Sequence, residues 1–351
     1  MAHADLRLYC PGFVDSSFVE RGLPVDQLYK DVDLGGFFKY LSRAQRSYHP
    51  RFYPCFEQRV LADLGYLTCS DKDIEVGALI ASMSGYPDGW WMKADPVYLS
   101  VGLNDVTVMD STLLDLHADE IEQLVSLVNT HFIDESWELI QVSEETCVIG
   151  DRHDHNVVTT PLSLSISAGP DEYLPSGKDG AYWRRMLTEM QMVLHGCAVN
   201  KDREERGLMP VNSFWLWGAG LTPVRPETSV AAVWGGGVSI EAAARYAGCT
   251  FSGLPDDPEM ILDAMKIDDV VIIVLSDLLD MATKRDFVDW QDTLARVANG
   301  WLVPIIRTAS ISTHVTIDLG TRYRFVYDTI SRLRFWRKER DFSYLLRSPS
   351  T

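Results

Sequence analysis

Two histidines and two aspartates lie close together in the segment "GDRHDHN" at residues 150–156. On an extended chain Asp151, His153 and His155 would share one face, while Asp154 would face away. Two imidazoles and a carboxylate are ligands that zinc or manganese accepts. The segment also suits binding of a phosphate or another ligand, and a polar loop with exposed histidines is the plainest interpretation. All three interpretations stay open, with His153, Asp154 and His155 as candidate ligand-binding residues.

Planar hydrogen-bond donors follow in the stretch "VNKDREERG". Asn200, Arg203 and Arg206 could present amide and guanidinium groups to a carboxylate or a phosphate. Glu204 and Glu205 stand between the two arginines. A surface turn that neutralises its own charges is therefore the alternative.

Two glycine-rich turns could hold an anion on backbone amides. "GAG" at 218–220 and "GGG" at 235–237 each follow a predicted strand, and the second precedes a predicted helix. Backbone N–H groups at such positions can cradle a negatively charged group. Neither turn has the dinucleotide or P-loop spacing, and tight turns that need a positive φ are the alternative.

Other catalytic patterns are not indicated. The sequence has no GxSxG nucleophile motif. The pairs Asp256-Asp257 and Asp268-Asp269 stand where predicted elements begin, as capping residues do. The six cysteines are scattered without a CxxC pair, which predicts buried free thiols in a reducing cytoplasm.

Strand and helix patterns alternate in the last third of the chain, which predicts an α/β fold. The apolar run in "DDVVIIVLSD" at 268–277 is typical of a parallel strand buried on both faces. Residues 179–200 have the clearest helical spacing, and 91–111 resemble a hairpin that turns at Asn104-Asp105.

The length of 351 residues favours two domains. The β-rich middle predicts an α+β domain at 76–209, inserted into a discontinuous α/β core formed by 1–75 and 210–351. The strand in "MPVNSFWLWGAG" would then re-enter that core, with Phe214 and Leu216 on one side and Trp215 and Trp217 on the other.

The net charge of −18 disfavours nucleic acid as a partner, because such a surface repels phosphate backbones. No apolar run approaches the length of a membrane span, and the first residues lack the features of a secretory signal. We therefore expect a cytoplasmic protein. The basic tail "SRLRFWRKERDFSYLLR" is the exception in charge: it is either a solvated helix face or a docking patch for an acidic partner or for the chain's own acidic body.

A longer motif combines several of these residues. It reads N-x-x-R-x-x-x-G followed by N-x-x-W-L-W-G-x-G, and it comprises Asn200, Arg203, Gly207, Asn212, Trp215, Leu216, Trp217, Gly218 and Gly220. With "WWMKADPVYLS" upstream, the chain resembles bacterial regulatory proteins of the RpfE type, which are distant relatives of the archaeal-type cofactor-independent phosphoglycerate mutases. The resemblance is closest at 88–111 and 150–220. It implies an alkaline-phosphatase-like core sheet with helices on both faces, plus an inserted α+β domain.

The resemblance also implies where a ligand would bind. Asp151 to His155 would correspond to an Asp-Pro-His segment of the mutases, and Asn200 and Arg203 to a segment near the charged groups of the substrate. The remaining candidate ligand-binding residues of the motif are Asn212, Trp217, Gly218 and Gly220.

Mutases of this kind use two divalent metals and a serine nucleophile. The segment "CPGFVDSS" after the first strand lacks their Asp-Gly, and the late segment "VLSDLLDMATKRD" has Asp277 and Asp280 but no histidine. His314 and Asp318 are present without the expected Asp-His pair.

We therefore expect a non-catalytic, mutase-like regulatory protein without a cofactor. It would bind a small phosphorylated or carboxylate ligand or a protein partner. The first alternative is an active phosphoglycerate mutase or phosphatase whose rearranged site holds manganese or zinc. Its parts would be Asp277, Asp280, Asp318, His314, His153 and His155. The second alternative is an acidic scaffold protein.

Overall fold

The computed structural model describes residues 4–14, 24–48, 53, 55–66, 74–101, 106–109, 111–165, 174–284 and 287–346. The chain has a mixed α/β fold and divides into two compact units. Unit 1 comprises Met1–Leu64, Glu227–Ala244 and Gly248–Thr351, and unit 2 comprises Gly65–Pro226 and Arg245–Ala247.

The strands of the described residues are β1 Ala4–Tyr9, β2 Gln45–Tyr48, β3 Trp90–Val101, β4 Val106–Met109, β5 Trp137–Gln141, β6 Cys147–Asp151, β7 Ser213–Leu221, β8 Val230–Gly235, β9 Thr250–Ser252, β10 Val270–Val274, β11 Thr313–Asp318 and β12 Tyr323–Tyr327.

The helices are α1 Val25–Leu28, α2 Phe37–Arg43, α3 Phe56–Asp63, α4 Val76–Met83, α5 Ser111–Leu114, α6 Ala118–His131, α7 Leu162–Ser165, α8 Gly180–Leu194, α9 Ala198–Glu205, α10 Gly237–Ala247, α11 Glu259–Ala264, α12 Asp277–Lys284, α13 Phe287–Val297, α14 Val303–Thr308, α15 Thr329–Leu333 and α16 Phe342–Leu346. A π-helical stretch, Ala298–Leu302, joins α13 to α14.

Unit 1 is built on a seven-stranded sheet in the order β2-β12-β11-β1-β10-β8-β9. Strands β11, β1, β10, β8 and β9 run parallel to one another. At one edge, β12 pairs antiparallel with β11, and β2 pairs antiparallel with β12. Leu6 and Leu8 of β1 pack into one core with Trp290 and Leu294 of α13. The other face is also covered, because Ile272 is fully buried. The predicted parallel strand within 268–277 is thus confirmed.

Unit 2 is built on a five-stranded sheet in the order β4-β3-β6-β5, with β7 also paired to β3. Strand β7 pairs antiparallel with β3 from Trp90 to Val97. The expectation that this strand re-enters the first sheet is therefore wrong. Strand β7 belongs to unit 2 because one of its faces, formed by Phe214 and Leu216, packs into the core of that unit. The two tryptophans alternate with these residues along the strand.

The helix predicted at 179–200 is interrupted. It ends at Leu194, and the chain turns at Gly196, whose φ of 67° lies in the left-handed region that glycine adopts without strain. Asp179 does not cap the helix with its side chain; its carboxylate accepts a hydrogen bond from the backbone N–H of Asn156 at 2.7 Å.

The hairpin of β3 and β4 is antiparallel, as expected, and its predicted turn at Asn104-Asp105 lies outside the described residues. Cysteines in the described ranges are free thiols, and Cys197 alone of these is partly exposed; Cys69 is outside the ranges. No helix in the described part of the chain has the length and apolar character needed to cross a membrane.

Candidate functional site

The carboxyl ends of parallel strands are where open α/β sheets commonly place ligands. In unit 1, Tyr9 at the end of β1 stands beside Asp318 at the end of β11 in the strand register. Asp277 follows β10 as the first residue of α12. The active-enzyme alternative considered for the sequence would use Asp277 and Asp318, which both lie at this carboxyl end of the sheet.

Asp318 is bound by two arginines. Its Oδ1 accepts from Arg59 Nη1 at 2.8 Å and from the Gly320 backbone at 3.0 Å, and its Oδ2 accepts from Arg324 Nε at 3.2 Å. The side chains of Asp318 and Arg59 are each only 4% exposed. Both carboxylate oxygens are therefore engaged inside the protein.

Asp63 belongs to the same network. It accepts from the Tyr9 hydroxyl at 2.5 Å and from Arg324 Nη1 at 3.1 Å, and it lies 3.2 Å from Arg7 Nη1. Burial, and then the neighbouring Asp63, raise the pKa of Tyr9 well above its ordinary value. The phenol is thus neutral, and the network is a self-contained set of cations and carboxylates.

These donors do not fit a pair of divalent metals. His314 lies at the opposite end of β11 from Asp318, about 13 Å away along an extended strand. Asp277 is half exposed and lies 3.5 Å from Arg296 Nη2. The side chain of Asp280 is not among those described. Within the described ranges, no group of three or more His, Cys, Asp or Glu residues could hold a metal ion.

Cys10 lies just beyond Tyr9 and is fully buried. Burial, followed by the negative charges of Asp277 and Asp318, raises the pKa of the Cys10 thiol. A protonated, enclosed thiol is a poor nucleophile. The position after the first strand therefore carries no activated cysteine in place of a serine.

The histidine segment begins where β6 ends, at Asp151. The Asp151 carboxylate accepts from His155 Nε2 at 2.7 Å, from the His153 backbone at 2.9 Å and from Ser136 Oγ at 3.1 Å. Burial opposes ionisation, but these hydrogen bonds outweigh it and lower the pKa of Asp151. The structure thus joins His155 to Asp151. The His153 side chain is 71% exposed, with Nδ1 3.4 Å from Asp151 Oδ1, and Asp154 faces solvent.

An aromatic cluster encloses the His155 ring. Its centroid lies 4.8 Å from that of Trp90, 5.2 Å from Trp183 and 5.8 Å from the stacked ring of Tyr182. The Tyr182 hydroxyl donates to Glu135 at 2.6 Å. His155 therefore has the surroundings of a packed structural residue.

An open groove of about 770 Å³ lies beside this cluster in unit 2. Its charged lining consists of Asp88, Glu135, Glu138, Asp151 and Arg152. Four carboxylates against one guanidinium give the groove a negative potential, which disfavours a phosphorylated ligand.

Asn200 and Arg203 project into unit 2. Asn200 donates to the carbonyls of Leu194 and Val211 and accepts from the Val211 N–H, all within 2.8 Å. The fully buried Arg203 donates to the Met209 carbonyl at 2.8 Å and pairs with Glu120 at 2.6 Å. It also donates to the Leu114 carbonyl. Backbone groups and the Glu120 carboxylate thus engage both side chains within unit 2.

The rest of the motif is likewise engaged. Asn212 Oδ1 accepts from the Leu99 N–H at 2.7 Å, and its Nδ2 donates to the Leu99 carbonyl at 2.8 Å. Gly218 has a φ of 65° and stands against the Val76 side chain. Gly220 stands against the side chain of Glu75. A Cβ at either glycine would collide with these neighbours.

A buried ion pair beside the motif was not anticipated. Lys93 Nζ lies 2.5 Å from Asp95 Oδ1, with both side chains 10% exposed, and Trp217 Nε1 donates to Asp95 Oδ2 at 2.5 Å. Lys93 also lies over the Trp217 ring, 5.0 Å from its centroid. The signal was present in "WMKADP", since charges two apart on a strand share a face.

The sequence similarity of this chain to known proteins is confined to part of its length. No family model matches it. A 2,3-bisphosphoglycerate-independent phosphoglycerate mutase of Methanosarcina mazei is 43% identical over 53 residues, which are 15% of this chain and 13% of that protein. A second such mutase, from Methanothermobacter thermautotrophicus, is 27% identical over 180 residues, covering 45% of each chain. The chain thus matches less than half the length of these relatives.

A solved structure shows the fold over a longer span. The PH0037 protein from Pyrococcus horikoshii superposes with a TM-score of 0.51 at 12% identity, covering 93% of this chain and 86% of that one. The predicted bacterial RpfE-type relationship stays a prediction. The sequence matches make this chain a distant relative of the 2,3-bisphosphoglycerate-independent phosphoglycerate mutases over less than half of its length.

Proposed function

We propose that this chain is a mutase-like protein that has lost metal-dependent phosphoryl transfer and binds an anionic ligand in a regulatory role. The observation that carries the proposal is the state of Asp318. Arg59 and Arg324 engage both of its oxygens at the carboxyl end of β11, where a phosphoryl-transfer site would need metal-binding carboxylates.

The energetics of this pair favour the loss of metal binding. A divalent cation at Asp318 would displace at least one guanidinium, and Arg59 would then be a buried charge without its carboxylate. Breaking such a pair typically costs about 3 to 5 kcal/mol, in addition to repulsion between the cation and the arginines.

Enzyme assays test the proposal. The full chain is incubated with phosphoglycerate and Mn²⁺ or Zn²⁺, and the conversion between the 2- and 3-phosphate isomers is followed. The Methanosarcina mazei mutase serves as the positive control. We expect no conversion by this chain. Turnover that disappears in the Asp318→Asn variant would show an active enzyme and contradict the proposal.

A further inference from the structure

A basic pocket of about 430 Å³ lies in unit 1 between the end of α2 and the C-terminal segment. Four cationic side chains line it, together with two aromatic rings: Arg46, Trp336, Arg337, Lys338, Arg340 and Tyr344. We name it the C-terminal pocket. It is formed by the basic tail that stands out in the sequence.

Contacts with α2 hold the tail in place. Arg337 Nη1 donates to the Ser42 carbonyl at 3.3 Å, and the Arg340 backbone N–H donates to Ser42 Oγ at 3.0 Å. On the far side, Phe342 of α16 is buried and stacks on Phe38, with centroids 5.3 Å apart. The pocket therefore has a fixed wall and is part of the folded unit.

Three of the four cations in the pocket are not neutralised by a carboxylate within the described structure. Arg337, Lys338 and Arg340 form no ion pair with a described carboxylate, and neither do the nearby Glu339 and Asp341 with a described cation. Burial, and then the cations around it, lower the pKa of Arg337. A chain with a net charge of −18 thus places three cations without a described carboxylate partner at one small site.

The pocket also exposes aromatic surface. Trp336 is 67% exposed, whereas Tyr344, which is 42% exposed, lies under the Arg340 guanidinium, 4.0 Å from its ring centroid. Exposed rings beside cations are a common arrangement for stacking a planar group while binding a phosphate.

Size and charge favour a small ligand over a macromolecule. The volume lies within the range of small-molecule sites. The acidic surface of the rest of the chain repels nucleic acids and acidic proteins, but a small anion can enter the local positive potential.

We propose that the C-terminal pocket binds a small phosphorylated ligand that carries a planar ring, the chemistry of a mononucleotide. Arg337, Lys338 and Arg340 would contact the phosphate, and Trp336 would stack on the ring. The inference rests on the proposed function only in taking an anionic ligand; it does not depend on the state of Asp318.

Calorimetric titration of the full chain with ADP, adenosine and inorganic phosphate tests the inference. We expect ADP to bind, with adenosine and phosphate each at least about tenfold weaker, because each lacks one of the two contacts. Raising the salt concentration is expected to weaken ADP binding.

Variants assign the binding to this pocket. Lys338→Gln removes an exposed cation that makes no hydrogen bond to a described residue, so folding is preserved. Together with Arg340→Gln it should weaken ADP binding at least about tenfold. Trp336→Ala should weaken ADP binding because it removes the stacking ring, whereas Trp336→Phe keeps an aromatic ring and should retain ADP binding. Lys201→Gln with Arg225→Gln, which removes the same two charges at exposed positions of unit 2, is the matched control and should leave binding unchanged.

Several results would overturn the inference: no ADP binding, equal affinity for ADP and inorganic phosphate, tighter binding of an acidic peptide, or ADP binding unchanged by Lys338→Gln with Arg340→Gln. The assays of the proposed function use metal and phosphoglycerate instead. Mutase turnover would therefore overturn the proposed function without affecting the ADP result. Absence of ADP binding would overturn the inference about the C-terminal pocket without restoring mutase activity.

Discussion

At the scale of single residues, polar groups that resemble a ligand site are used to hold unit 2 together. Arg203 joins α9 to Glu120 of α6 and to two backbone carbonyls, and Asn200 joins α9 to the chain before β7. A buried arginine of this kind holds its position because each missing bond would leave a desolvated partner.

Replacing Arg203 should therefore reduce stability. We expect Arg203→Ala to lower the free energy of unfolding by about 3 to 5 kcal/mol, measured by urea denaturation, because it leaves buried acceptors unpaired. Arg206→Ala removes the other, 41% exposed, partner of Glu120 and should cost clearly less, because solvent screens an exposed pair. Equal stability of Arg203→Ala and the parent chain would contradict the structural role.

Asp151 should make stability depend on acidic pH. Its pKa is lowered in the folded chain, so its contribution is present above the unfolded value of about 3.9 and is lost as the pH falls through the folded value. We expect Asp151→Asn to cost about 1 to 2 kcal/mol near pH 7 and progressively less below pH about 4.

Thermal unfolding of the parent and of Asp151→Asn across that pH range measures the difference. Asp154→Asn is the control, because it makes the same chemical change at an exposed position of the same segment. A pH-independent difference between parent and Asp151→Asn would show that the lowered pKa is not the cause.

The sequence could predict these residues but not their surroundings. The spacing predicted that Asp151, His153 and His155 share one face, and the structure joins His155 to Asp151 by a hydrogen bond. The partners that decide their chemistry are Ser136, Trp90 and Tyr182, which are remote in sequence. The planar donors of Asn200 and Arg203 were recognisable, but their burial depends on packing of α9 that no local pattern shows.

At the scale of elements, local patterns predicted most strands and helices, and tertiary pairing decided their sheet. The parallel strand β10 follows from its continuous apolar run, and the helix α6 follows from its helical periodicity. The sheet to which β7 belongs does not follow from its sequence, because a continuous apolar run such as Phe214 to Trp217 suits either sheet. Its pairing with β3 is a long-range contact, and so its assignment to the first core could not be corrected from sequence.

The turn after β1 is an element that glycine makes possible. Gly12 has a φ of 78°, and a Cβ there would lie 2.6 Å from the Leu278 backbone. Gly36 has a nearly equal φ of 76°, but a Cβ at that position would meet no atom within 4 Å. Comparing substitutions at these two glycines therefore separates the cost of a left-handed backbone, which both share, from the cost of a steric collision, which only Gly12 has.

We expect Gly36→Ala to cost about 1 kcal/mol through the left-handed backbone and Gly12→Ala to cost clearly more, because the α12 backbone must also move. Urea denaturation of both variants measures the difference. If Gly12→Ala proved no more destabilising than Gly36→Ala, the close approach of the β1 turn to α12 would be wrong.

At the scale of the whole molecule, the fold and the charges support different parts of the account. The likeness to PH0037 extends over most of the chain and shows the fold alone, while the mutase identity covers shorter stretches. The sequence correctly indicated the relationship to phosphoglycerate mutases. It could show that the Asp-Gly was missing, but the two arginines on Asp318 come from α3 and β12 and meet only in the folded chain.

Metal binding at equilibrium tests the central claim most directly. The full chain is stripped with a chelator, dialysed against Mn²⁺ or Zn²⁺ and measured by elemental mass spectrometry, alongside the Asp318→Asn variant. We predict well below one equivalent of either metal in both proteins, because Arg59 and Arg324 hold the carboxylate. Two equivalents in the parent chain, lost in Asp318→Asn, would contradict the account and identify a working metal site.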